Sequence, residues 1–279
     1  MFLSHKTRGA ISQIFLYATV IIITIILAFP LYWMFLTSLK PLDKIFVYPP
    51  TFTTKPDLEN YITVWNKMGF SRLFYNTAKV ALLTTILSVS VASLAGYAIA
   101  RFRFRGRDII GLLILGTYMF PGVLLLIPIY VFMARINLVN THASLIIAVT
   151  TFSLPFCIWM LRAYFTTLPT DLEDAARIDG CSRLGALIRI VLPLSAPGIA
   201  ATAVFAFIAA WNNYLFALTF ITSEGRKTLP PAISTFITRE GIHWNLLMAG
   251  GMVATVPVII FFLLLQRYLV KGLTLGAIK

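Results

Sequence analysis

The stretch VALLTTILSVSVASLAGYAIA, residues 80–100, runs straight into RFRFRGR, residues 101–107. The first part carries no Asp, Glu, Lys or Arg and is long enough to cross a bilayer as a helix. The second packs four arginines into seven residues. An apolar helix that ends in a short, strongly basic loop places that loop on the cytoplasmic side. Ser88, Ala92, Gly96 and Ala100 recur at every fourth position. Small side chains on one helix face let a neighbouring helix approach closely in lipid.

Along the rest of the chain, six stretches in all reach the required length: approximately 14–37, 80–100, 109–134, 143–161, 194–222 and 246–266, none with a charged residue inside. The composition agrees. Of the 279 residues, 59% are hydrophobic and only 12% are charged, and the mean hydropathy is +0.87. A soluble domain carries roughly 25% charged residues. The expected fold is an all-α integral membrane protein of six transmembrane helices, a single transmembrane permease domain over residues 1–279. Alternation from the arginine loop places the N-terminus, the loop between spans four and five and the C-terminus in the cytoplasm. By that count 13 of the 23 Lys and Arg are cytoplasmic, so the orientation rests on the short arginine loop rather than on the total. Small residues recur in span six at Gly250 and Ala254, and prolines 121, 128, 155 and 257 fall within spans, where neighbouring helices must satisfy the freed carbonyls.

The formal net charge of +13 invites a nucleic-acid partner, but the basic residues sit in short loops between apolar runs, with no continuous basic face on a polar domain. Nucleic acid is excluded as a partner. Lys6 and Arg8 precede an apolar run that is too long for a signal-peptide core, which reads as an uncleaved first span. Cys157 and Cys181 read as two free thiols, and three scattered histidines give no metal-ligand spacing. The spans lack the ionisable groups that proton- or sodium-driven pumps use at membrane depth. The chain also lacks a G-x-x-x-x-G-K-[ST] phosphate loop. Uphill transport would therefore take its energy from a partner, received on a cytoplasmic surface. No residue is a catalytic candidate, since spans two to five contain no His, Asp or Glu from which to build an acid–base pair. An ion-coupled or passive carrier or channel is the alternative at this point.

That surface is the loop LEDAARIDGCSRLGALIRIVLP, residues 172–193. Two short helices are expected. Thr170 or Asp171 would cap the first, with acidic residues in its opening turn. Gly180 would supply the left-handed cap. Leu184, Leu187, Ile188 and Val191 fall on one face of the second helix, and Pro193 would stop it. Such a pair suits an interfacial anchor or a ridge for a partner protein equally well.

These residues resemble the signature of import permeases of ATP-binding-cassette transporters: E-A-A, three residues, G, nine residues, I, one residue, L-P. Asp174-Ala175-Ala176, Gly180, Ile190 and Leu192-Pro193 match with the spacing intact, Asp174 standing where the signature has Glu. The resemblance narrows to the second permease subunit of maltose-type sugar importers. It is carried by Phe29-Pro30-Leu31-Tyr32-Trp33, Ser38-Leu39-Lys40-Pro41, Glu59-Asn60-Tyr61, Gly96-Tyr97-Ala98-Ile99-Ala100-Arg101-Phe102, Trp211-Asn212 and the tail from Gln266 to Lys279. It implies a type I importer bundle with a cytoplasmic coupling loop over residues 165–193, in a bacterial or archaeal cytoplasmic membrane. The partners it implies are a second, non-identical permease, two cassette ATPases that hold the ATP and magnesium, and an extracytoplasmic sugar-binding protein. It assigns Glu173, Asp174, Ala175, Ala176, Asp179, Gly180, Ile190, Leu192 and Pro193 to ATPase coupling.

The sugar path is marked less sharply. Trp211, Asn212, Asn213 and Tyr214 bring carboxamides and aromatic faces together in span five. Such groups can bind hydroxyls and pack on pyranose rings, but Asn that crosslinks helices and Trp that packs against lipid or protein is the preferred reading.

Overall fold

In the computed structural model, described here over residues 5–49 and 56–275, apolar runs fold as helices because a helix satisfies every backbone polar group within its own segment. The end of the tail that carries part of the resemblance, 276–279, lies outside the described residues. The principal helices are α1 (His5–Ser38), α2 (Glu59–Lys67), α3 (Phe70–Arg101), α4 (Arg107–Tyr118), α5 (Leu126–Arg135), α6 (His142–Thr167), α7 (Asp171–Ile178), α8 (Arg183–Ala186), α9 (Leu192–Leu194), α10 (Ala196–Trp211), α11 (Leu215–Phe220), α12 (Leu229–Ile233) and α13 (Trp244–Leu275). Extended pairing among the described residues is limited to one antiparallel bridge, Ile237 with Ile242.

Among the described residues, four helices are long and apolar enough to cross a membrane: Gln13–Ser38, Phe70–Arg101, His142–Thr167 and Trp244–Tyr268. A fifth crossing arises if Arg183–Leu194 and Ala196–Trp211, bent by 82°, form one span. Two of the six expected spans are therefore not single helices. The stretch 109–134 divides into α4 and α5 around Pro121, which has no N–H to continue a helix and crowds the carbonyl four residues back. The stretch 194–222 divides at 212–214, between α10 and α11.

The chain forms two compact units. One comprises residues 1–68 and 233–254. Within it, Asn60 Nδ2 donates to the carbonyls of Ser38 (2.9 Å) and Lys40 (3.0 Å), and its Oδ1 accepts from Asn245 (2.7 Å). These bonds tie the end of α1, α2 and the start of α13. Gly250 lets α13 lie against Ile233, where an added Cβ would be 3.4 Å from the side chain.

The other unit comprises residues 69–232 and 255–279, and its centre is the seam of α3 with α6. The small stripe read from the sequence lies on it. Ala92 is fully buried, Ser88 and Ser153 hydroxyls meet at 3.0 Å, and a Cβ on Gly96 would stand 3.1–3.3 Å from Arg162 N, Ile158 O and Leu161 Cβ. Helix α10 closes the bundle at Gly198, which the Tyr164 ring covers. The core joins Tyr97, Leu161 and Phe165 with Ala206 and, from the loop after α8, Leu187 and Val191.

The two ends of this unit are each fastened. At one, Arg162 of α6 reaches Asp108 of α4 at 2.7 Å, passing over Gly111, where a Cβ would collide with the guanidinium. At the other, Asn76 Nδ2 donates to the carbonyls of Gly225 (3.0 Å) and Lys227 (2.8 Å). Asn140, at φ 62°, accepts from Thr222 and Ser223 N–H and donates to Ser223 Oγ.

Candidate functional site

The expected helix pair forms, with its capping partly redistributed. Thr170 occupies the N-cap position of α7 without making a side-chain capping bond, its own φ and ψ being helical rather than the extended values of a capping residue. Glu173, Asp174 and Asp171 still place three carboxylates at the positive end of the helix. Ser182 caps α8, its hydroxyl accepting from Gly185 N at 3.1 Å. Gly180 turns the chain between the two at φ +90°, with nothing within 4 Å of where a Cβ would stand.

The second helix does not stop at Pro193. Residues Leu187–Val191 open into a π turn in which Leu192 N–H reaches back to Leu187 O, and Pro193 sits in the first turn of α9, where a missing N–H costs little. The sharp bend falls two residues later, between Leu194 and Ala196.

Burial sorts the expected coupling residues into two faces. Glu173 and Ala176 point inward and are buried, whereas Asp174, Ala175, Asp179, Gly180 and Pro193 are exposed, and Ile190 and Leu192 are half-buried. Of the four residues expected on one face of the second helix, Leu187 and Val191 enter the core while Leu184 and Ile188 are more than half exposed. Ile178 is 87% exposed. The outward residues of the pair thus include three apolar side chains, Ile178, Leu184 and Ile188, and the Asp174–Arg177 ion pair (3.3 Å). Arg183, also outward, lays its guanidinium over the Phe102 ring at 5.0 Å.

The inward carboxylate makes the densest polar contacts of the site. Glu173 Oε1 pairs with Arg101 Nε at 2.6 Å, and Oε2 accepts from the Tyr97 hydroxyl at 2.7 Å. Arg101 Nη2 donates to Leu168 O at the end of α6 (3.0 Å). Tyr97 and Arg101 were legible only as pieces of a resemblance. Their i, i+4 spacing on one helix face was the available signal, but it does not name a partner 72 residues away.

The second cluster is split by the break after α10. Trp211 is buried, stacked on Phe207 (5.5 Å) and edge-on to Phe74 (5.7 Å). Asn213 Oδ1 accepts from Ala217 N at 3.3 Å, starting α11. Asn212 and Tyr214 are exposed. The four residues do not converge on one surface.

Helices long and apolar enough to cross a membrane, with a helix pair packed against the core of α3, α6 and α10, are the architecture of a multi-pass membrane protein. The chain belongs to the family of binding-protein-dependent transport system inner membrane components, whose model matches residues 88–275. It is accordingly an inner-membrane permease subunit of a binding-protein-dependent ABC importer, a transport component rather than an enzyme. Among its relatives, the trehalose/maltose transport system permease protein of Thermococcus litoralis is 39% identical over 96% of this chain and 98% of its own length. The sulfoquinovosyl glycerol transport system permease protein of Agrobacterium fabrum is 39% identical over 90% of this chain and 88% of its own. The fold resembles a chain of a bacterial ABC transporter involved in the import of the acidic polysaccharide alginate, with a TM-score of 0.75 at 22% identity, covering 96% of this chain and 99% of that one.

Proposed function

We propose that this permease carries a sugar, forms half of the translocation path beside a second permease, and is driven by two cassette ATPases that bind the ATP and magnesium. An extracytoplasmic sugar-binding protein would deliver the substrate. Residues 1–279 act as one permease domain with six crossings, α4–α5 and α10–α11 serving as broken third and fifth spans, and both termini cytoplasmic. Sugar transport is supported by relatives named for trehalose, maltose and a sulfoquinovosyl glycerol.

The observation that carries the ATPase-coupling reading is the two-faced helix pair. An interfacial anchor would need only an apolar face toward lipid. Here the inner face is occupied by Glu173, Ala176, Leu187 and Val191, which leaves Ile178, Leu184, Ile188 and Asp174 as a separate outward surface of protein-docking character. In the second cluster, Asn212 and Tyr214 keep the solvent access that a sugar contact requires, while the stacking of Trp211 supports a packing role.

The test uses the assembled transporter. Gly180→Val places a β-branched residue at φ +90°, a conformation costing roughly 1 kcal/mol or more. It should abolish uptake of radiolabelled trehalose and maltose while the subunit still inserts. Asp174→Lys should weaken ATPase capture in detergent pull-downs, and Asp174→Glu should not. Arg105→Ala, an exposed basic change off the helix pair, is a better control than Arg183→Ala, since Arg183 packs on Phe102. Normal ATPase retention and uptake with Gly180→Val and Asp174→Lys would refute the coupling role of this loop.

A further inference from the structure

We propose that Tyr97, Arg101 and Glu173 form a latch that joins the coupling helix α7 rigidly to α3 and α6, making Glu173 a positioning residue rather than a contact for the ATPase. The proposal rests on the coupling reading of the helix pair and assigns the inward half of it a separate task.

Glu173 is 7% exposed, so its carboxylate is closed to a docking partner. Both carboxylate oxygens are used within the chain, one on Arg101 and the other on Tyr97. The same guanidinium also holds Leu168 O, the cap of α6. A single Arg side chain thus fastens the last turn of α3, the end of α6 and the first turn of α7. The seat is shaped for it. The Tyr97 ring lies edge-on to Phe102 (6.1 Å) and Phe165 (6.3 Å).

The mechanical reason follows from the way each half of the loop is held. Helix α7 has only eight residues, too few to be stable alone. Its other inward residue, Ala176, offers one methyl group. The segment after α8 is held instead by the apolar side chains of Leu187 and Val191 in the core. Apolar contacts are non-directional and permit sliding. Charge-assisted hydrogen bonds fix distance and angle. A push on the outer face of α7 therefore reaches α3 and α6 through the Arg101–Glu173 pair, and without that pair α7 moves alone.

The experiment uses the full transporter with its ATPases, with Cys157→Ala and Cys181→Ser and nitroxides introduced at Asp171 of α7 and Leu94 of α3, both exposed. The inter-label distance is measured nucleotide-free and after vanadate trapping. In the parent the distance should be the same in both states. In Arg101→Gln with Glu173→Gln, which removes both buried charges and strands neither, the nucleotide-free distance should match the parent. The trapped distance should then shift by about 2 Å or more, the scale of a helix displacement. Tyr97→Phe, which deletes one hydroxyl, should shift it in the same direction and serves if the double variant fails to insert. Unchanged distances on trapping in both variants, or a parent distance that itself shifts, with ATPase retained, would overturn the latch alone. A parent that retains no ATPase would overturn the coupling reading and the latch with it.

Discussion

Gly198 and Tyr164 show how closely single residues govern the packing of α10 on α6. A Cβ at Gly198 would lie 2.5 Å from Tyr164 Cγ and 3.0 Å from Tyr164 Cβ, so the ring cannot evade it by rotating its tip. Overpacking of this kind typically costs about 1–3 kcal/mol. Gly198→Ala should lower the thermal transition of the detergent-solubilised protein accordingly, whereas Gly116→Ala, where a Cβ meets nothing within 4 Å, should leave it equal or slightly higher. Equal transitions for both variants would show that α10 can shift away from α6 freely. Glu173 makes the same point about side chains. Its position in the sequence suggests the acidic first turn of a helix, and its neighbour Asp174 does play that part in the open, yet Glu173 itself turns into the protein.

Among the elements, the loop 222–228 has only one short 3-10 turn, Glu224–Arg226, and is fastened to α3 and to the α5–α6 connection. Asn76 satisfies two of its carbonyls, Thr77 Oγ1 accepts from Leu229 N at 2.8 Å, and Arg226 donates to Asn140 O. Removing the Asn76 carboxamide leaves two carbonyls to water or to no partner, a loss of about 1–3 kcal/mol. Asn76→Ala should therefore raise local opening by roughly fivefold to 150-fold. Limited trypsin cleavage after Arg226 or Lys227 reads this out, and an unchanged cleavage rate would mean the loop is held from elsewhere. The breaks within the apolar runs are also events between elements. Pro121 divides α4 from α5 by the local rule that proline stops a helix. Pro193 does not obey it, because it lies in the first turn of α9, where a missing N–H costs little.

For the molecule in its membrane, orientation is the property most exposed to test. The contacts Arg101–Glu173 and Arg162–Asp108 gather the basic loop 101–107 and the helix pair at one end of their unit. Asn76, Asn140 and Gly225 meet at the other. A cysteine at Arg105 should therefore resist an impermeant thiol reagent applied outside intact cells, once Cys157 and Cys181 are replaced. One at Gly225, an exposed position with open space around a new Cβ, should label. Gly225 is preferable to Ser223, whose hydroxyl is engaged by Asn140. Labelling at Arg105 with protection at Gly225 would invert the topology.

Local chemistry encodes much of this protein directly in its residues. Runs without charge become helices because unpaired backbone is intolerable in lipid, four arginines mark one end of α3, and Gly180 turns α7 into α8 because only a residue without Cβ adopts φ +90° at little cost. The small stripe from Ser88 to Gly96 announced a close helix contact without naming α6. Which residues of the helix pair face inward is a different kind of choice, because it depends on partners distant in the chain: Tyr97 and Arg101 for Glu173, and the α3–α6–α10 core for Leu187 and Val191. Packing between helices likewise buried Trp211 against Phe74 and Phe207 while leaving Asn212 outside. Neighbours in sequence at a helix end point in different directions, and only the surrounding helices settle which of them meets protein.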